Sequence, residues 1–244
     1  MSKTFKSMKL TIDDDHENCI RVLLDHIPKD ILSEKPLVLH VGAHKGEEVP
    51  VYIEYGFEKI QLIEANPELS YYLIKKFESF KNITVDNYAI SNRRGKIEFI
   101  IHRTKKGSVE SSSILKLKKL GEFVPSFDSN NTITVDSETL DNFYKKNFIT
   151  KQKVNLLVLD IQGAEFMVLQ SAKKMLETTE AIICEVNLIE TYENCHLEDE
   201  ISDFLESQGF YNHITIYHEL YNKETRFPAW GEGLWLRKRN KKAC

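Results

Sequence analysis

Apolar residues along the chain fall into short, nearly unbroken runs separated by stretches with helical spacing. Residues 37–41, 60–63, 154–159 and 181–186 are runs of the length and β-branched content of buried strands. Residues 13–32 place Ile20, Leu23, Leu24, Ile27 and Ile31 at helical spacing behind an acidic opening of Asp13, Asp14 and Asp15. A short helix ends near Gly56, and Asn66-Pro67 opens another, with a capping residue before proline and a stripe of Leu69, Tyr72, Leu73 and Phe77. Residues 83–90 read as a third strand and 97–101 as another, flanked by the turn at Arg93-Arg94-Gly95. The polar stretch 104–131, with Ser111-Ser112-Ser113, has the length of a functional loop. A strand at 133–135 and helices at 139–148, 164–176 and 197–207 follow the same pattern.

Strands alternating with helices predict a mostly parallel sheet covered on both faces. The end of the chain departs from the alternation. Residues 211–217 and 233–237 read as strands with no helix between them, so an antiparallel hairpin is expected to close the sheet. One domain is expected over 37–239, preceded by a helical extension at 1–36 and followed by a basic tail at 240–244. The charge run Arg237, Lys238, Arg239, Lys241 and Lys242 reads as solvated.

Polar signatures sit where the strands end. Residues 37–41 run into Gly42-Ala43-His44-Lys45-Gly46, 60–63 stop at Glu64, and 154–159 stop at Asp160. Ligands of open α/β sheets lie outside the carboxyl ends of the strands, so these positions are the expected cofactor crevice. Gly42 and Gly46 lack side chains that would keep a ligand from the backbone, and their spacing differs from the GxGxxG of pyrophosphate binders. Glu64 can accept both hydroxyls of a ribose. Asp160 and Gln162 share a face if the strand persists, and Gly163 permits a sharp turn into a helix whose first turn holds Glu165, a placement that suits the helix dipole. Glu185 and Asn187 repeat the two-residue spacing at the next strand end. Such a polar cluster is costly to bury unless something binds there. His44 and Lys45 read as solvent-facing.

Across its 244 residues the chain carries a net charge of -4, without the basic field that draws a protein to nucleic acid. Cys19, Cys184, Cys195 and Cys244 show neither zinc-ligand nor disulfide spacing, and no run approaches a membrane span. A soluble cytoplasmic protein is expected, with no nucleic-acid partner, no membrane insertion and a homo-oligomer left open.

The ordered set Val41 to Gly46, Ile63-Glu64-Ala65-Asn66-Pro67, Ser111 to Leu115, Val135 to Asp141, and Leu159 to Glu165 followed by Val168-Leu169 resembles the FkbM family of S-adenosylmethionine-dependent methyltransferases. The similarity runs from about residue 37 to residue 186, and Trp230-Gly231-Glu232-Gly233 is similar to the ending of one branch. The family's more common form has Glu where this chain has Gln162. The resemblance implies a class I, Rossmann-like methyltransferase fold with a seven-stranded sheet and transfer of a methyl group to oxygen, on a sugar, nucleotide sugar or glycan precursor. A non-sugar natural product is the alternative acceptor. An NAD-linked oxidoreductase and a non-catalytic binding module are less favoured readings.

Carried onto matching positions, the resemblance puts Gly42, Ala43 and Gly46 along the cofactor, Glu64 and Ala65 at the ribose, Asp86 to Ala89 beside adenine, and Asp160 by the reacting methyl. Asp160 is the candidate base, helped by Glu185; the same two carboxylates leave room for a divalent ion bound through oxygens. Ser112, Ser113, Gln162, Asn187 and Trp230 are the candidate substrate contacts.

Overall fold

The computed structural model describes residues 8–11, 16–32, 35–123, 127–148, 152–221 and 226–239. The elements in chain order are β1 (Met8–Thr11), α1 (His16–Asp25), β2 (Leu37–Val41), α2 (Val49–Glu54), β3 (Lys59–Ile63), α3 (Pro67–Phe77), β4 (Ile83–Asp86), β5 (Ala89–Ile90), β6 (Gly95–Thr104), α4 (Lys119–Phe123) and β7 (Phe127–Glu138). They continue with α5 (Leu140–Asn147), β8 (Val154–Leu159), α6 (Glu165–Gln170), α7 (Lys173–Leu176), β9 (Thr179–Asn187), α8 (Glu198–Ser207), β10 (Phe210–Tyr221) and β11 (Arg226–Arg237).

The main sheet has the order β4-β3-β2-β8-β9-β11-β10-β1. From β4 to β9 all neighbours are parallel, and β11 is antiparallel to both β9 and β10. This is the seven-stranded sheet with a closing hairpin. An eighth strand is added by β1, which pairs parallel to β10 at the edge, so the extension is not only helical. The apolar runs are nearly continuous because both faces are covered. Val38, Ile60, Leu62, Leu156 and Val158 pack under α1, α2 and α3, while Leu37, Leu39, Val41, Leu157 and Leu159 pack under α5, α6 and α8. The chain leaves β2 for β3 on one side and returns at β8 on the other, which opens a crevice at the carboxyl end of β2.

Four elements differ from the sequence pattern. The first helix ends at Asp25, three residues before Pro28, which disfavours helical backbone at Ile27. The single strand expected at 83–90 is two. Asn87 Nδ2 donates to the carbonyls of Glu64 (2.7 Å) and Ala65 (3.1 Å), and this anchors the point where the chain leaves β4 for β5. There β5 joins β7 and β6 in a separate three-stranded sheet, whose β6/β7 pairing (Ile97 opposite Val135) takes in the two ends of the expected loop and leaves 105–118 as the connection to α4. The helix expected at 164–176 breaks at Ser171, whose Oγ donates to the carbonyls of Val168 (2.8 Å) and Ser91 (3.1 Å). Asp141 then accepts from the backbone N–H of Lys174 and Met175 and starts α7.

The basic run at the end is not wholly solvated. Arg237 stacks over Phe210 (4.4 Å) and donates to the carbonyl of Thr179 (2.6 Å), and Arg239 pairs with Asp30. Residues 240–244 lie outside the described residues. No helix among the described residues is long and apolar enough to cross a membrane.

Candidate active site

The turn after β2 is shaped by contacts inside the protein. Gly42 has φ +90°, and a Cβ there would lie 1.8 Å from the carbonyl oxygen of Asp160. Glycine is required because the ends of β2 and β8 converge. Gly46 (φ +66°) faces α3, where a Cβ would meet Phe77 Cε2 at 2.9 Å. It therefore sits against the helix and not on the cavity wall. Ala43 is likewise buried in the core.

Glu64 follows β3 and is 6% exposed. Its Oε2 accepts from the backbone N–H of His44 (2.9 Å) and its Oε1 from that of Asn66 (2.8 Å). One carboxylate thus ties the glycine turn to the start of α3, where Asn66 caps the helix by accepting from Glu68 N–H.

The segment after β8 is a turn and not a continued strand. Gln162 (φ +59°) and Gly163 (φ +95°) are both left-handed, so Gln162 reaches back to Asp160 by chain reversal and not by strand alternation. Glu165 Oε1 holds the reversal by accepting from the N–H of Ile161 (2.9 Å) and Gly163 (3.2 Å). Gln162 Nε2 donates to Asp160 Oδ1 (2.7 Å) and Glu185 Oε2 (2.6 Å), while its Oε1 accepts from Tyr192 OH (2.7 Å). Ser113 Oγ donates to the Gln162 carbonyl (2.8 Å).

A cavity opens over these strand ends. Of the residues expected in the site, Gly42, Glu64, Ala65, Ala89, Ser112, Asp160 and Gln162 line it. Ala43, Gly46, Asp86, Ser113, Glu185, Asn187 and Trp230 are not in its wall. Asp86 instead accepts from Gln61 Nε2 (2.8 Å), and Asn187 pairs with Thr191. Trp230 lies opposite Asn187 on β11 and stacks on His218, with ring centroids 5.7 Å apart. Lining residues that the sequence did not mark are His44, Glu47, Glu48, Phe99 and Glu110, while Tyr88 falls within the 86–89 segment expected beside adenine. His44 was expected to face solvent. Its positive φ, +44°, turns the ring toward Glu47 and the cavity, and no sequence signal announces that conformation in a residue other than glycine.

Buried carboxylates dominate the electrostatics. Desolvation pushes Glu64 up to about 7 against the two N–H groups that favour its charge. Burial, followed by the charge of Asp160, raises Glu185 above the usual carboxylate range. A carboxyl group with a folded-state pKa above its unfolded value stabilises the fold fully below the unfolded value and loses that contribution as pH rises through the folded one. For Glu64 the window runs from 4.5 to about 7, a contribution on the order of 3 kcal/mol, and Glu165 acts in the same direction. The ligand-free protein is therefore expected to melt at a higher temperature near about pH 5 than near about pH 8, with a smaller difference in Glu165→Gln. Equal melting temperatures across that window would contradict the desolvation argument.

The Asp160 and Glu185 pair does not fit a divalent ion in this arrangement. The position between their oxygens is taken by the N–H groups of Gln162, a donor where a cation needs acceptors.

The strand order, the glycine turn and the acidic residues at the ends of β3 and β8 define a class I methyltransferase. Residues 40–211 match the methyltransferase FkbM domain, and the chain belongs to that family of S-adenosylmethionine-dependent methyltransferases. Similar solved structures include methyltransferase FkbM from Methylobacillus flagellatus KT, 13% identical, with 83% of this chain and 43% of that chain covered and a TM-score of 0.47. An rRNA methylase from Streptococcus thermophilus is 7% identical over 94% of this chain and 100% of that chain, with a TM-score of 0.49. Magnesium protoporphyrin IX methyltransferase from Synechocystis PCC 6803, with S-adenosylhomocysteine bound, is 9% identical over 91% and 84%, with a TM-score of 0.49. No curated protein matches the chain.

Proposed function

We propose that the protein methylates a hydroxyl of an uncharged saccharide, such as a glycan precursor. The observation that carries this reading is the charge of the cavity. Glu47, Glu48, Glu64, Glu110 and Asp160 line it, and no lysine or arginine is found among its described lining residues. A cationic cofactor is favoured there, whereas the diphosphate of a nucleotide sugar would face carboxylates. The same field, with the net charge of -4, opposes nucleic acid.

Bound S-adenosylmethionine supplies an electrophilic methyl group on a sulfonium. Glu64 would accept the ribose hydroxyls on lone pairs left by its bonds to His44 and Asn66, and Tyr88, Ala89 and Phe99 would face the adenine. A hydroxyl is a weak acid, so its proton must leave as the carbon–oxygen bond forms. Asp160 would accept that proton. Gln162, which donates to both Asp160 and Glu185, orients it.

Incubation with S-adenosylmethionine and a panel of neutral saccharides, nucleotide sugars, non-sugar natural products and RNA, read by a mass gain of one CH₂, tests the acceptor. Gain confined to nucleotide sugars or RNA would overturn the charge argument. Glu64→Ala is expected to weaken cofactor binding about 10- to 150-fold, the loss of a charge-assisted hydrogen bond. Calorimetry showing unchanged affinity would take Glu64 out of the cofactor site.

A further inference from the structure

A second, smaller cavity shares Glu48 and Asp160 with the cofactor cavity. Cys19, Ile20 and Leu23 of α1 form part of its wall. Four carboxylates line it, those of Glu48, Asp160, Glu185 and Glu232, and no lysine or arginine does so among its described lining residues. Glu185 on β9 and Glu232 on β11 stand directly opposite each other in the ladder, a pairing that disfavours two like charges. Such a field suits a bound cation.

The fold gathers ligands for one at the edge of this cavity. Across the β10/β11 ladder Ile216 faces Glu232, so His218, two residues on, stands beside Glu232 on the same face of the sheet. Ile214, Ile216 and Leu234 of that face pack in one cluster with Cys19, which is 2% exposed. His218 Nε2 lies 2.5 Å from Glu232 Oε2, and Cys19 Sγ donates to the same oxygen at 3.2 Å. The three ligand atoms all lie within 4.8 Å of one another, the scale of the edges of a tetrahedral zinc site, about 3.3–3.6 Å. Trp230 stacks on the His218 ring, with centroids 5.7 Å apart, and gives it the outer support that orients a metal-binding histidine. Cys19 and Glu232 are 213 positions apart, so no spacing in the sequence announces the set.

We propose that Cys19 Sγ, His218 Nε2 and a carboxylate oxygen of Glu232 bind a zinc ion whose fourth position opens to the second cavity. Thiolate, imidazole and carboxylate together suit zinc, whereas magnesium and calcium take oxygen ligands. In the metal-free protein, burial and then the charge of Glu232 raise the Cys19 thiol above its ordinary range. Coordination removes that proton outright, and binding releases it to solvent. The ion replaces the hydrogen bonds that converge on Glu232 and joins α1 to the closing hairpin. Asp160 lines both cavities, so an oxygen held in the fourth position shares a cavity with the group assigned as base.

Calorimetric titration of the chelator-treated full chain with zinc, and absorption after cobalt(II) substitution, test the site. One equivalent of zinc is expected to bind and to raise the melting temperature, and cobalt is expected to give a thiolate-to-cobalt charge-transfer band. Cys19→Ser and Glu232→Ala should each weaken zinc more than about 100-fold, beyond the roughly 10- to 100-fold that loss of an outer partner costs. Cys19→Ser should also lose the band, while Cys195→Ser, at another buried thiol, should keep band and affinity. A wild type that takes up no zinc, or that binds cobalt without the band, would overturn the proposal. So would a band that persists in Cys19→Ser, or zinc affinity unchanged in both variants. The wild-type readings need no variant, so a variant that fails to fold leaves the test decisive, and none of the readings depends on methyl transfer.

Discussion

With asparagine in place of Asp160, turnover is expected to fall about 10²- to 10⁴-fold while affinity for S-adenosylmethionine changes little. The substitution keeps size and shape but removes the acceptor for the hydroxyl proton. It also disturbs the contact with Gln162, whose Nε2 donates to Asp160 Oδ1 and would then meet an amide. Glu185, no longer raised by the neighbouring charge, should ionise more readily and cannot replace an acceptor that lines the cavity, because it lies outside the wall. Single-turnover rates beside a binding titration read the two effects separately. Wild-type turnover in Asp160→Asn would move the base role to another group of the cavity wall.

Gly42→Ala is expected to abolish cofactor binding and to destabilise the fold by about 3 kcal/mol or more, summing an overpacked contact and a left-handed backbone that disfavours a Cβ. The new methyl would lie 1.8 Å from the carbonyl of Asp160, and backbone on both sides cannot swing aside as a flexible side chain could. Gly56 is the control. It has φ +83° but nothing within 4 Å of its Cβ position, so Gly56→Ala should cost only the conformational part, about 1 kcal/mol. If the two variants melt alike, convergence of β2 and β8 is not what demands glycine at 42.

The sheet was legible because burial on both faces leaves apolar runs that need no neighbours to be seen, and Glu64 and Asp160 were legible because those runs stop at them. Gly42 was read as making room for a ligand, yet its neighbour is the chain itself. Gly46 looked equivalent from spacing alone, and only the position of α3 shows what it faces. The alternation argument for Asp160 and Gln162 reached the right pair by the wrong geometry, since the strand ends at Leu159 and a left-handed turn does the work. The split of residues 83–90 into β4 and β5 depends on Asn87 bonding to carbonyls 22 and 23 residues earlier, a contact that local pattern cannot carry. His44 was missed for the same reason, because its conformation is imposed by Glu64.

Asn155 interrupts the otherwise apolar β8 and is 3% exposed. Its Oδ1 accepts from the N–H of Leu37 (2.9 Å), and its Nδ2 donates to the carbonyl of Ile31 (2.6 Å), so one amide joins a central strand to the start of β2 and to the extension before it. A chain begun at residue 37 would leave that Nδ2 buried without its acceptor, a cost of about 1–3 kcal/mol, and would strip Leu23, Leu24 and Ile27 from the face of the sheet they cover. Residues 19–31 are therefore part of the core under the sheet. Extension and sheet form one cooperative unit, and heat should take them apart in a single transition.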